Sequence, residues 1–448
     1  MNKTLICICN SFPPEVTPTA IRSGKILEYL QKEWNLYVVT EAHGSVPNSL
    51  VNVYSVKSWY PGRLIYWLSR FKFEKLLEWL IWPDRTIFWL LPALLKAKEL
   101  VKQQESDAIV VFMMPYGAGL VGILLKWLTK RPLVLNFDDS PTCSDMNPSY
   151  ATWIHYHMAR WLEDFYISQA DAVIYVSQHN LEKVRSRQPK AQHFKFHLVR
   201  YGANVKDLKQ YSSPESIADS QFSIVYIGGM NGWYEFYHLP QENTLPRKLY
   251  RAWMNFGRYE VLKLDYRSSS PIFIGKAVQH VTTENPSWEN KIHANVYGNQ
   301  YSQTIIERVL QNQTIVDVVS VFGSLPHNEA IKMACKADLL FLTLPARPDG
   351  SLGGRISAKT YEYLMTDRPI LAAVPKGENW DYLEGKPGVW LVEPTDVAGM
   401  AKAITQLAAA KLSGKPLSFN RSELHEQLSY STRAEEFDKI LTKVSIGR

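Results

Sequence analysis

The amino-acid sequence predicts an α/β protein built from two doubly wound, parallel-sheet domains. Three observations carry that expectation. The chain has 448 residues, more than one core usually supports at about 100–200 residues per domain. Short, nearly continuous apolar runs alternate with longer helix-period segments, the pattern of strands buried on both faces and joined by right-handed crossovers. The alternation then restarts after a polar stretch, 210–221 (Gln-Tyr-Ser-Ser-Pro-Glu-Ser-Ile-Ala-Asp-Ser-Gln). With 46% apolar and 21% charged residues the chain is of folded rather than disordered type.

In chain order, strands are expected at Thr4–Cys9, Leu36–Thr40, Ala108–Met114, Leu133–Phe137 and Ala172–Val176. Helices are expected at Ala20–Lys32, Leu64–Trp82, Pro92–Gln103, Gly119–Leu128 and Ile154–Ser168. Ser177 offers an N-cap oxygen to the helix after the last of these strands. Beyond the polar stretch the strand candidates are Phe222–Ile227, Ile272–Ile274, His293–Tyr297, Val318–Phe322, Leu339–Leu344, Ile370–Ala373 and Val389–Val392. Helices follow at Asn328–Cys335, Ala358–Met365, Val397–Ala410 and Thr432–Val444. The expected organisation is a first domain over 1–212, a second over 213–425, and a C-terminal helix over 426–448 that can pack back on the first. Ligands of such sheets bind at the carboxyl ends of the strands, so a cleft between the domains is expected to be lined by the loops there. Asn231–Ser270 is rich in Tyr, Trp and Arg without a readable period, and no internal repeat or low-complexity tract is present.

Four cysteines are too few for a disulfide framework. Cys7 and Cys9 alternate within an apolar run, and no C-x-x-C pair suggests zinc. Met1–Lys3 lead straight into a strand-like run, without the regions of a signal peptide. The longest apolar stretches are broken by charge, as at Asp84-Arg85, short of the roughly 18 residues that span a bilayer. These features lead us to expect a cytoplasmic protein. The net charge is +7, and its placement is uneven: Lys57 to Lys102 hold nine basic and four acidic residues, with five of the 14 Trp (Trp59, Trp67, Trp79, Trp82, Trp89).

Gly117-Ala118-Gly119-Leu120-Val121-Gly122 spells a dinucleotide-type glycine pattern between a strand and a helix. Its strand is not the first of the domain, so close helix–sheet packing is the competing reading. Phe12-Pro13-Pro14-Glu15 ends the first strand in a fixed loop. The loop Asp349–Ser357 is richer in information. Its glycines, Arg355 and Lys359 make a seat for a diphosphate, and Glu362, one turn into the next helix, can accept hydrogen bonds from a ribose diol; a mobile surface loop is the alternative. His327 precedes a helix on the cleft side. Asp138 and Asp139 end a strand, where they could hold acceptor hydroxyls. A lone histidine such as His155 or His157 is more often structural.

These pieces fall in a recognisable order. Phe12-Pro13-Pro14 with Arg22, Asn136-Phe137-Asp138-Asp139, Ala170–Ser177 and Tyr201-Gly202-Ala203-Asn204 resemble the N-terminal half of a group-1, family 4-like glycosyltransferase of GT-B fold. Val321–His327, Ala337–Leu342 and Lys359–Leu364 followed by Arg368-Pro369-Ile370-Leu371-Ala372 resemble its C-terminal half. The resemblance implies two Rossmann-like domains facing a cleft, with an acceptor side and a nucleotide-sugar side. It implies transfer of a sugar from a nucleoside diphosphate sugar to a saccharide or lipid-linked acceptor, usually with retention and without a bound metal or other cofactor. By it Glu362 holds the ribose, while Gly353, Gly354, Ser357 and nearby cations hold the diphosphate, beside His327. Asp138, Asp139, Arg355 and Lys359 become the candidate catalytic residues. The sequence departs from the family at two places. The first of the family's two glutamates falls on Gly354, and Gly228–Trp233 lacks the Arg and Lys often found there; Arg355 and Lys359 then take the phosphate role. A degenerate binding protein and a sugar-nucleotide epimerase of the same architecture are the rival readings.

The Trp-rich basic stretch, Arg63–Trp82 in particular, suits contact with an anionic membrane surface, where Trp sits among headgroups and cations meet phosphates. Packing of these Trp into the core is the equal alternative. No motif points to nucleic acid.

Overall fold

The computed structural model describes residues 3–15, 17–41, 52–71, 73–146, 148–203, 221–230, 233–237, 244–299, 302–415 and 417–446, apart from the side chains of Leu64, Glu235, Phe236 and His327. The polar stretch 210–221 lies almost wholly outside the described residues. In chain order the first part runs β1 (Lys3–Cys9), α1 (Pro18–Leu30), β2 (Trp34–Thr40), β3 (Val53–Ser55), α2 (Gly62–Arg70), α3 (Glu74–Leu80) and α4 (Leu90–Gln103). It continues through β4 (Ala108–Phe112), α5 (Ala118–Thr129), β5 (Leu133–Phe137), β6 (Ser149–Tyr150), α6 (Trp153–Gln169), β7 (Ala172–Tyr175), α7 (Gln178–Arg185) and β8 (Phe196–Leu198). The second part opens with β9 (Phe222–Ile227), α8 (Leu245–Asn255), β10 (Tyr259–Glu260), α9 (Pro271–Glu284), β11 (Ile292–Asn299), α10 (Gln303–Asn312) and β12 (Val319–Gly323). It ends with α11 (His327–Lys336), β13 (Leu339–Thr343), α12 (Ala358–Leu364), β14 (Ile370–Ala373), α13 (Glu378–Leu383), β15 (Val389–Val392), α14 (Val397–Leu412), α15 (Ser422–Leu428) and α16 (Tyr430–Ile446).

Two compact units result. The first comprises Met1–Gly202, Leu245–Leu262 and Tyr430–Arg448, the second Ala203–Thr244 and Lys263–Ser429. The first is built on a seven-stranded sheet in the order β3-β2-β1-β4-β5-β7-β8, the second on a six-stranded sheet in the order β12-β11-β9-β13-β14-β15. Every pairing in both sheets is parallel. The second order is the doubly wound 3-2-1-4-5-6 arrangement, with its switch point between β9 and β13. Central strands such as Ala108–Phe112 and Leu339–Thr343 are buried throughout, which is why their sequences are continuous apolar runs.

The glycines of 117–122 serve packing. A Cβ on Gly122 would lie 2.5 Å from Val111, so it lets α5 lie close on β4, while one on Gly119 would lie 2.6 Å from the Met113 side chain and 2.8 Å from Tyr166 of α6. The Gly117 amide is occupied from within, by Asp84 Oδ2 at 2.9 Å. Two sequence expectations are corrected. Ile272–Ile274 is not a strand but the first turn of α9: Pro271 sits at its start and Ser270 Oγ accepts from the Ile272 amide, and a short apolar run alone does not separate the two. The expected helix Leu64–Trp82 is broken into α2 and α3, because the Phe73 amide turns back to Leu68 O at 3.0 Å, a six-residue closure of the type that ends helices.

Candidate active site

In the second unit the candidate residues Arg355, Lys359 and Glu362 lie on and just before α12, and Lys359 reaches the strand ends at the switch point. β9 runs into Gly228, whose φ of +126° suits glycine. A second constraint acts there: a Cβ on Gly228 would lie 2.2 Å from Lys359 Cε and 2.7 Å from Nζ. The Lys359 side chain therefore runs from α12 across the end of β9, its ammonium 5.3 Å from the centre of the Tyr226 ring. It brings a cation to the loop whose own sequence has none. Gly298, the penultimate residue of β11, is equally tight, since a Cβ there would meet the Gly228 backbone at 2.5 Å.

α12 is held at its start by Asn379 of α13. Asn379 Oδ1 accepts from the Ser357 amide (2.9 Å) and from Thr360 Oγ1 (2.8 Å), in the place of a side-chain cap. The glycine loop before it is anchored by a bridge between Gly353 and Gly377: the Gly353 amide donates to Lys376 O (2.8 Å), and the Glu378 amide donates to Gly353 O (2.7 Å). Gly377, at φ +127°, has no room for a Cβ against the Gly353 backbone, 2.3 Å away. The amides of Gly353 and Ser357 are thus spent within the protein, and the polar groups brought forward are side chains. Arg355 and Lys359 are half-buried with no carboxylate at ion-pair distance among the described residues, and Glu362 is exposed. Two buried polar atoms, Thr343 Oγ1 at the end of β13 and Asn379 Nδ2, have no hydrogen-bond partner within the protein among the described residues. His327 begins α11, but its side chain lies outside the described residues.

In the first unit the N-terminal motif residues form one buried cluster. The Arg22 guanidinium, fully buried, donates to Asp138 Oδ1 (2.8 Å), Asn136 Oδ1 (3.0 Å) and Val199 O (3.0 Å). Asp138 also accepts from Asn136 Nδ2 (3.1 Å) and from Tyr201 OH (3.1 Å), and the Tyr201 ring lies 5.2 Å from the Arg22 guanidinium. Burial, reinforced by the Asp138 charge, holds the Tyr201 phenol well above its usual pKa. Asp138 is therefore committed to binding Arg22, while its half-buried neighbour Asp139 accepts from Ser144 Oγ at 2.6 Å. His155 is structural, its ring nitrogens engaged by Thr152 Oγ1 (2.7 Å) and Trp79 O (3.0 Å).

Comparison with known proteins adds to this geometry. Residues 52–202 match the family model of the glycosyl transferase 4-like domain. Over that stretch the chain is similar to glycosyl transferase 4-like domains. Its resemblance to the group-1, family 4-like glycosyltransferases holds, and its fold is GT-B. No curated protein matches by sequence. Solved structures match over the whole length. Sucrose-phosphate synthase from Thermosynechococcus elongatus is 13% identical, with a TM-score of 0.61 and 100% of both chains covered. HepE from Anabaena, solved in complex with UDP and glucose, is 14% identical at a TM-score of 0.58, over 99% of this chain and 100% of its own. The α,α-trehalose 6-phosphate synthase of Burkholderia multivorans is 10% identical at a TM-score of 0.57, over 99% of each chain. At such identities the likeness is one of fold.

Within the matched residues 52–202 lies a charged core that no motif announces. Glu163, fully buried in α6, accepts from Ser140 Oγ (2.8 Å) and Tyr175 OH (3.2 Å) on one oxygen, and from Thr142 Oγ1 (2.6 Å) and Arg187 on the other. Arg187 also donates to Asp164 Oδ1 at 2.9 Å. The two carboxylates outweigh the burial of the guanidinium and raise its pKa. Beside this network is a cavity of about 180 Å³ lined by Trp82, Tyr116, Tyr150, His155, Leu162 and Tyr166. Its residues are scattered over nearly a hundred positions, so only folding assembles them. The one local signal in the sequence, a Glu sharing a helix face with Tyr166 and Ile167, names no partner.

Proposed function

We propose that the protein is a retaining, metal-independent glycosyltransferase that moves a hexosyl or related sugar from a nucleoside diphosphate sugar to a saccharide or lipid-linked acceptor, in polysaccharide or glycolipid assembly. The observation that carries this is the Lys359 ammonium laid across Gly228 at the switch point of the second sheet, in a chain whose other unit is similar to glycosyl transferase 4-like domains over residues 52–202. Cleavage at the anomeric carbon leaves the bonding electron pair, and hence new negative charge, on the departing diphosphate. Lys359 and Arg355 are the cations we assign to that charge; preoriented charges of this kind lower the barrier without a bound cofactor. Glu362, exposed one turn along α12, is assigned to the ribose hydroxyls. The orphan Thr343 hydroxyl and Asn379 amide supply further hydrogen-bonding capacity at the same strand ends. HepE is described in complex with UDP-glucose, which makes a uridine diphosphate sugar the first donor to test.

On this reading the first unit is the acceptor side. Asp139, half-buried where Asp138 is buried, is the carboxylate we assign to an acceptor hydroxyl, and Arg63–Trp82 the address on the inner face of an anionic membrane. The test is a panel of nucleotide sugars incubated with the full chain and with saccharide and lipid-linked acceptors. Glycosylated acceptor supports transfer; epimerised donor, or binding without turnover, overturns it.

A further inference from the structure

The segment with no legible period, 231–270, contains α8, and α8 belongs to the first unit. Its sequence explains its surface. Leu245, Leu249, Trp253 and Phe256 fall within about 80° of arc at 3.6 residues per turn, with Arg247, Lys248 and Arg251 on the remainder. No residue of α8 is buried, and Leu245 is 70%, Leu249 63% and Phe256 62% exposed. Monomeric proteins seldom leave such an apolar face uncovered.

The face continues beyond α8. The Trp79 ring of α3 packs 6.3 Å from Trp253 and 6.4 Å from Phe256, and Tyr250 OH donates to Glu74 at 3.4 Å. At the α2–α3 corner the Phe73 amide is bound to Leu68 O, and Tyr66, Trp67, Phe71, Phe73 and Leu80 are exposed around it. Five exposed cations, Arg63, Arg70, Arg247, Lys248 and Arg251, lie on α2 and α8. The acids on these three helices are Glu74, bonded to Tyr250, and Glu78, paired with Lys75 at 3.2 Å.

We infer that α8, together with α2 and α3, forms a single face that docks on an anionic lipid bilayer. Aromatic and aliphatic side chains enter the headgroup region while the cations meet lipid phosphates. The charge on the face selects this occupant, since a neutral protein groove would give Arg63, Arg70, Lys248 and Arg251, none of them in an ion pair among the described residues, no counter-charge. No helix among the described residues is long and apolar enough to cross a membrane, so the contact is one of surface. The inference extends the membrane address of Arg63–Trp82 to residues 245–256 and rests on it.

The experiment is flotation of the full chain with phosphatidylcholine vesicles containing phosphatidylglycerol, for the wild type, R247E/K248E/R251E, L245E/L249E and, on α2, W67E/F71E. A conservative R247K/R251K variant and the thermal midpoint of each protein control for folding. The expected result is salt-sensitive binding that weakens at least tenfold in each of the first three variants and persists with Lys for Arg. If the α8 variants float as well as the wild type while W67E/F71E does not, the α8 inference fails and the Arg63–Trp82 reading stands. If the wild type itself does not float, both fail.

Discussion

Lys359 and Gly228 depend on each other. The end of the lysine side chain occupies the space that a Cβ at Gly228 would take. Lys359→Ala and Glu362→Ala are expected to lower kcat/KM by about a hundredfold each, the scale of removing one preorganised stabilising group. Their thermal midpoints should stay near that of the wild type, because both side chains are at least partly exposed; unchanged kinetics in both would remove this site from consideration. Gly377→Ala, placing a Cβ against Gly353, should instead cost stability, of the order of 1–3 kcal/mol, measurable as a lower urea midpoint. Asp138→Ala strands the buried Arg22 charge and should cost about 3–5 kcal/mol, whatever becomes of transfer. The residues of this pair of sites were legible as residue types at strand ends. Which of two adjacent aspartates is spent on Arg22 was not, because that depends on a guanidinium 116 positions away in the chain.

At the scale of elements, the last helix matters most. α16 buries Tyr430, Ala434, Phe437, Ile440 and Leu441, with Phe437 stacked on Phe112 of β4 at 6.0 Å and Asp438 accepting from Trp34 Nε1 at 2.7 Å. Phe437→Ala should therefore destabilise the first unit by about 3–5 kcal/mol, read by chemical denaturation. The same helix carries Lys443 close to His197 of β8. Burial first, and then Lys443, push the His197 imidazole below its ordinary 6.5, and burial does the same to His293 of β11. The unfolded chain takes up protons near pH 6.5 that these folded sites refuse, so stability should fall as pH drops through that value. A His197→Gln variant should show a shallower loss between pH 7.5 and 5.5. Elements with long, pure periods were read from sequence to within a few residues. Local chemistry overrides the period at Ser270-Pro271, which starts a helix, and where the Phe73 amide closes back on Leu68 O.

At the scale of the molecule, two parallel sheets were already written in the alternation of continuous apolar runs with amphipathic segments. A strand covered on both faces has no polar side to display, and each crossover must supply a helix, so such a pattern admits few other solutions. The order of motifs further leads to the expectation of a nucleotide seat in the second half, which the proposed function takes up. Other features required folding. The grouping of Leu245–Leu262 and Tyr430–Arg448 with the N-terminal residues, the Arg22–Asp138–Tyr201 cluster, the Glu163–Arg187 core and the aromatic, basic face of α2, α3 and α8 join positions far apart in sequence. The physical reason is one of range. Periodicity and capping act over a few residues and are carried by the chain itself, whereas a buried charge or an exposed face is defined by whatever the fold brings beside it.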